Sequence, residues 1–174
     1  MRAARISLVL GFCLLLFSSC GYHISGKGDL LPKNLHTIAI PAFGNATTQN
    51  KLSELITSAL SREFISRTRY RVVADPNQAD AILTGAVVNF FNNPTVYDPA
   101  KGRASGAQIL VVMQVKLTDR ASGTVLYNRP NFEFRERYEI STDPGAYFEE
   151  GGVAMQRLSQ GVARSVVSAV MEKF

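Results

Sequence analysis

The stretch QILVVMQVKLT, residues 108–118, alternates cleanly between two sets of side chains. Successive side chains of a β-strand point to opposite faces of the sheet, so this alternation predicts a strand with one core face. The opposite face should be half-exposed. The core set is Ile109, Val111, Met113, Val115 and Leu117, and the opposite set is Leu110, Val112, Gln114, Lys116 and Thr118.

One further strand is expected on each side of this one. Residues 119–123 form a hairpin-length connection with Gly123 where a positive φ is useful, and residues 124–141 supply the partner strand. How far Arg129-Pro130 interrupts that strand stays open. Its second half places Phe132, Phe134, Tyr138 and Ile140 on one face, with Glu136 as an exception, and Glu133, Arg135, Arg137 and Glu139 on the other.

The segment before residue 108 predicts a long strand followed by a loop. Residues 79–91 are strand-like, and Gly85 inside them indicates a bulge or a close backbone approach. Residues 92–105 contain two prolines, polar side chains and glycine. We expect them to form a loop that joins the strands and projects from the sheet.

The N-terminal half predicts a strand, a helix and a short strand. Residues 35–43 form the first strand, with Ile38 and Ile40 toward the core. A turn at residues 44–48 should start a helix that runs to about Arg67, with Thr47 or Thr48 as N-cap. Residues 70–73 form the short strand. The helix stripe is Leu52, Leu55, Ile56, Ala59, Leu60 and Phe64.

A second amphipathic helix is predicted at the C-terminus, over residues 153–173. Gly151 and Gly152 leave its start open, either as one long helix or as a loose first turn before the main helix. The order strand, helix, strands, helix predicts an α+β fold. We expect two helices packed on one face of a mixed β-sheet of about four main strands, all within residues 35–174.

The first twenty residues have the pattern of a secretory signal peptide. Arg2 and Arg5 precede an apolar run over residues 6–17, followed by two serines and Cys20. The run is shorter than the roughly 20 residues that a transmembrane helix needs. A cysteine at this place resembles the lipobox of bacterial lipoproteins, although Phe17 stands where leucine is usual.

The lipobox resemblance implies that residues 1–19 are removed and that Cys20 receives diacylglycerol and an N-acyl chain. Several acyl chains together hold a protein stably on a membrane, whereas one chain binds marginally. Residues 20–34 would then be the lipid anchor and lead-in. Gly21, which is not acidic, favours the outer over the inner membrane.

Composition limits what the mature chain can do. Removing 19 of the 174 residues leaves 155, a length that fits one domain, and lowers the net charge from +5 to +3. Such a charge is not typical of nucleic-acid binding. Cys20 would be the one remaining cysteine, so neither an intramolecular disulfide nor a cysteine metal site is expected.

No catalytic motif stands out in the sequence. G-x-S-x-G, H-E-x-x-H and phosphate-loop strings do not occur, and His23 and His36 lack metal-ligand spacing. We therefore expect a protein that is not an enzyme and that needs no metal or cofactor besides the covalent lipid.

Basic residues are the main polar feature. Lys101 and Arg103 lie in the predicted loop, and Lys116 lies on the strand beside Arg135 and Arg137. Because Arg135 and Arg137 share one face of a strand, their guanidinium groups could hold phosphate or carboxylate. The alternative is a solvated face that Glu133 and Glu139 neutralise by ion pairing.

The string CGYH, residues 20–23, followed by this order of elements resembles the LptE-type lipopolysaccharide-assembly lipoproteins. The resemblance implies an outer-membrane lipoprotein, anchored on the periplasmic face, that plugs the LptD β-barrel, helps it assemble and aids lipopolysaccharide delivery to the cell surface. In that case the candidate glycolipid or barrel contacts are Lys101, Arg103, Lys116, Arg135 and Arg137.

A second resemblance points to another class of protein. TIAIPAF, residues 37–43, and ADAILTG, residues 79–85, are similar to segments of CsgG-type secretion lipoproteins, LpoB-type activators of cell-wall synthases and the N-terminal domain of TolB. Such a protein would act in secretion or would bind and activate a synthase. A barrel partner as opposed to a ring or synthase partner distinguishes the two hypotheses.

Overall fold

The secondary structure follows the predicted order of elements. The computed structural model describes residues 31–99, 102–140 and 147–172. The predicted signal peptide, Cys20 and Lys101 lie outside these ranges. The elements are β1 (Thr37–Ala39), β2 (Gly44–Asn45), α1 (Leu52–Arg67), β3 (Arg71–Val73), a 3-10 turn (Pro76–Gln78), β4 (Ala81–Asp98), β5 (Arg103–Asp119), β6 (Val125–Glu139) and α2 (Tyr147–Glu172).

The strands form one mixed sheet in the order β3-β1-β4-β5-β6, with β2 also paired to β4. The α+β class with two helices is confirmed, but the sheet has six strands and the expectation of about four was wrong. The expected strand at residues 35–43 is shorter than predicted, because β1 covers only Thr37–Ala39 and ends before Pro41. Strand β2 falls within residues 44–48, where a turn was predicted, and it pairs with β4 at a different place, Gly44 beside Ala86, whereas Ile38 of β1 lies beside Ala81.

Strands β4, β5 and β6 form a long antiparallel ribbon. The prediction of a loop at residues 92–105 was wrong, because β4 continues to Asp98 and β5 already begins at Arg103. Register shifts around Val96 absorb the irregularity next to Pro94. Cross-strand pairing therefore overrides the turn propensity of these residues. Strand β6 likewise continues through Pro130, with a register shift opposite residues 113–115.

The predicted alternation of β5 is confirmed. Its odd-numbered residues from Ile109 to Leu117 are at most 2% exposed, and both helices contribute to the same core cluster. Gly85 makes the close approach that its place in the strand indicated. A Cβ built there would lie 2.3 Å from Cε2 of Phe43 and 2.6 Å from the carbonyl oxygen of Gln114.

Helix α1 buries its predicted stripe except for Leu55, which is half-buried, and it starts later than predicted. The N-cap position is Lys51, without a side-chain cap, so the assignment to Thr47 or Thr48 was wrong. The hydroxyl of Thr47 instead donates to Oδ1 of Asn45 at 2.8 Å, within the preceding turn. Glu63 and Arg67, four residues apart on α1, form an ion pair at 3.0 Å.

Helix α2 is one long helix, which resolves the question left open at Gly151 and Gly152. It packs beside α1 and over β6, and Gly161 lies close to the sheet. A Cβ built on Gly161 would lie 2.4 Å from Cζ of Phe134, whereas one built on Gly152 meets nothing within 4 Å.

Asp80 joins the start of β1 to the start of β4. Its Oδ2 accepts hydrogen bonds from the backbone N–H groups of His36, at 2.8 Å, and Thr37, at 2.9 Å. Hydrogen bonds lower the pKa of the Asp80 carboxyl. The backbone N–H of His36 has the largest effect, and the hydroxyl and the backbone N–H of Thr37 come next. Arg120 connects the β5–β6 turn to the start of β4. Its backbone N–H donates to the carbonyl oxygen of Asp80 at 2.8 Å, and its Nε–H donates to the carbonyl oxygen of Ala79 at 2.6 Å.

We expect Gly161→Ala to lower the free energy of unfolding by about 1–3 kcal/mol, because the added methyl group displaces the ring of Phe134. Gly152→Ala in the same helix is the matched control. Its methyl group meets open space, so it should stabilise the protein by about 0.5–1 kcal/mol. Urea unfolding followed by circular dichroism measures both, and equal effects would contradict the predicted packing.

We expect Asp80→Asn to lower the melting temperature at pH 7. Because the pKa of the Asp80 carboxyl is lowered in the folded state, the ionised carboxylate stabilises the fold at pH values above the pKa of the unfolded state, about 3.9. This stabilisation is lost as the pH falls through the folded-state pKa. The difference between wild type and variant should therefore shrink below about pH 4. Glu139→Gln, at an exposed position, serves as the control. A difference that does not change with pH would contradict the role of the charge.

Candidate functional site: the outer face of the ribbon

The β4–β6 ribbon has a face opposite the helices, which we call the outer face. Its position follows from the alternation of β5, since the residues between the buried ones are half-exposed or exposed. Residues paired directly across an antiparallel ladder share a face, which extends the outer face onto β4 and β6. It comprises Thr84, Ala86, Asn89 and Phe91 of β4, Leu110, Val112, Gln114 and Lys116 of β5, and Glu133, Arg135, Arg137 and Glu139 of β6.

The centre of the outer face is apolar. Phe91 pairs with Leu110 across β4 and β5, Val112 lies next along β5, and the Phe91 side chain is 47% exposed. Near the hairpin end of the ribbon, Val96 and Tyr97 are 55% and 64% exposed. Exposed apolar side chains that group together mark surfaces that contact other molecules.

Charged side chains line the outer face along β6. Arg135 and Arg137 lie two residues apart and face the same side, as the alternation predicted. Arg135 pairs with Glu133 at 3.0 Å, and both side chains are more than half exposed. Water screens such a pair strongly, so it contributes little to stability and its guanidinium can exchange partners.

The structure does not bring all predicted basic residues together. Lys116 pairs with Asn128 on β6 and lies six residues along β5 from Leu110, the residue opposite Arg135, a separation of about 20 Å. The backbone of Arg103 begins β5, but its side chain, Lys101 and Cys20 lie outside the described residues. Among the described basic side chains of the ribbon, Arg135 and Arg137 are therefore neighbours, and Lys116 lies apart from them.

Tertiary structure adds residues that the sequence pattern did not indicate. Arg137 and Arg157 of α2 line one open recess of about 1030 Å³ beside the end of β6. Tyr138 lies beside them, and its hydroxyl accepts a hydrogen bond from Nδ2 of Asn92 at 2.9 Å. Arg157 lies twenty residues after Arg137 in the sequence, and no periodic pattern indicates that they are near each other. The packing of α2 over β6 places both at the same recess.

Few titratable groups in the described part have shifted pKa values, and they do not converge on a catalytic arrangement. Burial raises the pKa of the Tyr127 hydroxyl, which has no hydrogen-bond partner within the described ranges. The N–H group of Ser122 lowers the pKa of Asp119 in the β5–β6 turn. Among residues 31–99, 102–140 and 147–172, no group of three His, Cys, Asp or Glu side chains is arranged to hold a metal ion.

The family of the chain follows from a family model described as LptE: Lipopolysaccharide-assembly, which matches residues 35–170. The chain belongs to the LptE family. It is therefore an envelope-associated lipopolysaccharide-assembly lipoprotein, of a family that is not enzymatic. No helix in the described ranges has the length and apolar character to cross a membrane. No curated protein gives a sequence match.

Solved structures share the fold at low sequence identity. An uncharacterized lipoprotein B from Nitrosomonas europaea is 15% identical, with a TM-score of 0.54 over 81% of this chain and 84% of that one. The rare lipoprotein B from Shewanella oneidensis is 11% identical, with a TM-score of 0.51 over 79% of this chain and 96% of that one. A hypothetical protein from Chlamydia trachomatis is 13% identical, with a TM-score of 0.51 over 78% of this chain and 98% of that one. At these identities the likeness concerns the fold alone.

Proposed function

We propose that this LptE-family protein is anchored on the periplasmic face of the outer membrane, plugs an LptD-type β-barrel and helps it assemble for delivery of lipopolysaccharide to the cell surface. The family match over residues 35–170 carries the proposal, and it favours this function over the secretion or synthase-activating one. The test is purification of the tagged protein from detergent-solubilised envelopes, with native mass measurement. A one-to-one complex with a large β-barrel is expected, and a homo-oligomeric ring or a synthase without a barrel would overturn the proposal.

The outer face has the surface chemistry that such a plug needs. The interior of a large outer-membrane barrel is polar. The charged row along β6 can exchange hydrogen bonds with polar groups of the barrel wall, and the apolar centre around Phe91 can pack against wall side chains. Between them they provide both contact types found in protein interfaces, an apolar core and a polar rim.

Contact with lipopolysaccharide is the second part of the proposal. Phosphate groups of a glycolipid are best held by guanidinium groups, which can donate two parallel hydrogen bonds. Arg135 and Arg137 are the described pair with this geometry, and Glu133 is a weak competitor because its ion pair is exposed. Lys101, Arg103 and Lys116 remain candidates for contacts elsewhere along the ribbon.

Lipid attachment at Cys20 is proposed as the anchor. We expect intact-protein mass spectrometry to show diacylglycerol and one N-acyl chain on the mature chain, and neither on Cys20→Ser, because serine lacks the thiol that receives the diacylglycerol. Cys13→Ser, within the predicted signal peptide, is the matched control and should remain lipidated and membrane-bound. A wild-type chain without acyl groups, or acyl groups retained on Cys20→Ser, would contradict the anchor.

We expect the double charge reversal Arg135→Glu with Arg137→Glu to weaken lipopolysaccharide binding by about tenfold or more, because each lost charge-assisted hydrogen bond contributes about 1.5–3 kcal/mol. Binding of the purified complex to labelled lipopolysaccharide is one readout, and barrel recovery is the other. Arg62→Glu with Arg164→Glu reverses two exposed charges on the helix layer and is the matched control. If the outer-face variant keeps both binding and barrel recovery, these two residues are not contacts.

A further inference from the structure

Strand β6 is an edge strand of the sheet. Within the described part of the chain, only β5 pairs with it. The strand at the opposite edge, β3, has three residues, whereas β6 has fifteen. A very short edge strand is one way in which proteins keep a sheet from pairing with other chains. Strand β6 lacks this protection and presents a long row of backbone groups.

The direction of those backbone groups follows from the pairing with β5. The N–H of Ile140 donates to the carbonyl oxygen of Ser105 at 3.0 Å, so these two residues are a hydrogen-bonded pair. Such pairs alternate with non-hydrogen-bonded pairs along an antiparallel ladder. The register is unbroken over residues 132–139, so the even-numbered residues bond to β5. The backbone groups that point away from the sheet belong to Glu133, Arg135, Arg137 and Glu139.

This edge is open in the structure. Between described residues, no hydrogen bond outside the β5–β6 ladder reaches the backbone groups of residues 133, 135, 137 and 139. Helix α2 covers the face of β6 and not its edge, since Gly161 lies against the ring of Phe134. Residues 132–139 contain neither proline nor glycine, and the register shift near Pro130 lies before them. They therefore form a regular template for an additional strand.

The side chains of the same four residues select the strand that can pair. Along the outer face their order is Glu133, Arg135, Arg137, Glu139. If a second copy paired antiparallel with full overlap, Glu133 would face Glu139 and Arg135 would face Arg137. Like charges directly opposite each other are destabilising, so the edge disfavours a second copy. A strand with acidic residues opposite the two arginines is favoured, and Arg137 has no ion-pair partner among the described residues.

The position proposed above for the protein limits where such a strand can come from. A plug is surrounded by the wall of its barrel, and the strands of a closed barrel pair on both sides and have no free edge. A segment of the barrel protein that pairs with β6 must therefore belong to a loop or to a terminus outside the wall.

We propose that β6 binds an extended loop or terminal segment of the barrel protein by strand addition along residues 133–139. The outward backbone groups form the new ladder, and acidic side chains of the segment face Arg135 and Arg137. This inference rests on the proposed function and specifies how plug and barrel are joined. Phosphate contact by the same arginines is compatible with it, because each guanidinium group has five N–H donors.

Amide hydrogen exchange of the full-length protein, alone and in its purified barrel complex, tests the pairing. In the protein alone, we expect the amides of residues 133, 135, 137 and 139 to exchange about tenfold or more faster than those of residues 134, 136 and 138, which bond to β5. In the complex, the odd-numbered amides should slow by about tenfold or more.

Two exchange results would overturn the inference alone. One is slow exchange of the odd-numbered amides without the barrel, as pairing with a second copy would cause. The other is fast exchange of these amides in a recovered barrel complex. Failure to recover any barrel would overturn the proposed function and this inference with it.

Two variants at position 135 separate the backbone from the side chain. Arg135→Pro and Arg135→Ala both lack the guanidinium group, and only proline also lacks the outward N–H. Proline is tolerated in an edge strand where its missing N–H faces away from the sheet. We expect Arg135→Pro to recover about threefold to tenfold less barrel than Arg135→Ala, the scale of one lost backbone hydrogen bond. Equal recovery by the two folded variants would overturn the proposal, and the exchange measurement depends on neither variant.

Photo-crosslinking in living cells identifies the paired segment. Glu133→p-benzoylphenylalanine should form an adduct with a loop or terminal segment of the barrel protein that carries acidic residues. Arg62→p-benzoylphenylalanine, at an exposed position of α1, is the matched control and should not label the same peptide. An adduct of position 133 with a wall strand, a second copy or another protein would overturn the proposal.

Discussion

The hydrogen-bonded pairing of β5 with its two neighbours is the constraint on which the rest of the structure depends. β5 is central in the ribbon, pairing with β4 on one side and with β6 on the other over most of its 17 residues. Because the side-chain period of a strand is two, a shift of one residue would move its whole buried set to the opposite face. This register therefore fixes which face the helices cover and which face remains as the outer face.

The two sides of the sheet carry different chemistry for the same reason. On the helix side, the odd-numbered residues of β5 and the buried stripes of α1 and α2 form the core. The outer face combines an apolar centre with a charged row on β6.

Sequence patterns predicted the elements that have long, regular periodicity. The alternation of residues 108–118, the stripe of α1 and the close approach at Gly85 were all confirmed, as was the shared face of Arg135 and Arg137. Local propensity failed where tertiary pairing overrides it. Residues 92–105 have turn composition yet continue two strands, because β4 and β5 each gain cross-strand hydrogen bonds by extending. The expected strand at 35–43 ends at Ala39, before Pro41, because proline cannot donate to a ladder.

The sequence by itself determined the fold class, the faces of the main elements and, through residues that resemble LptE-type lipoproteins, the family. Each depends on spacing within one segment or on the order of segments, and a single chain displays both. Only the tertiary structure decided how distant residues are placed: Arg157 lines the same recess as Arg137, and Lys116 lies far along the ribbon from Arg135. These neighbours depend on strand register and helix placement, which sum many weak contacts and leave no local pattern.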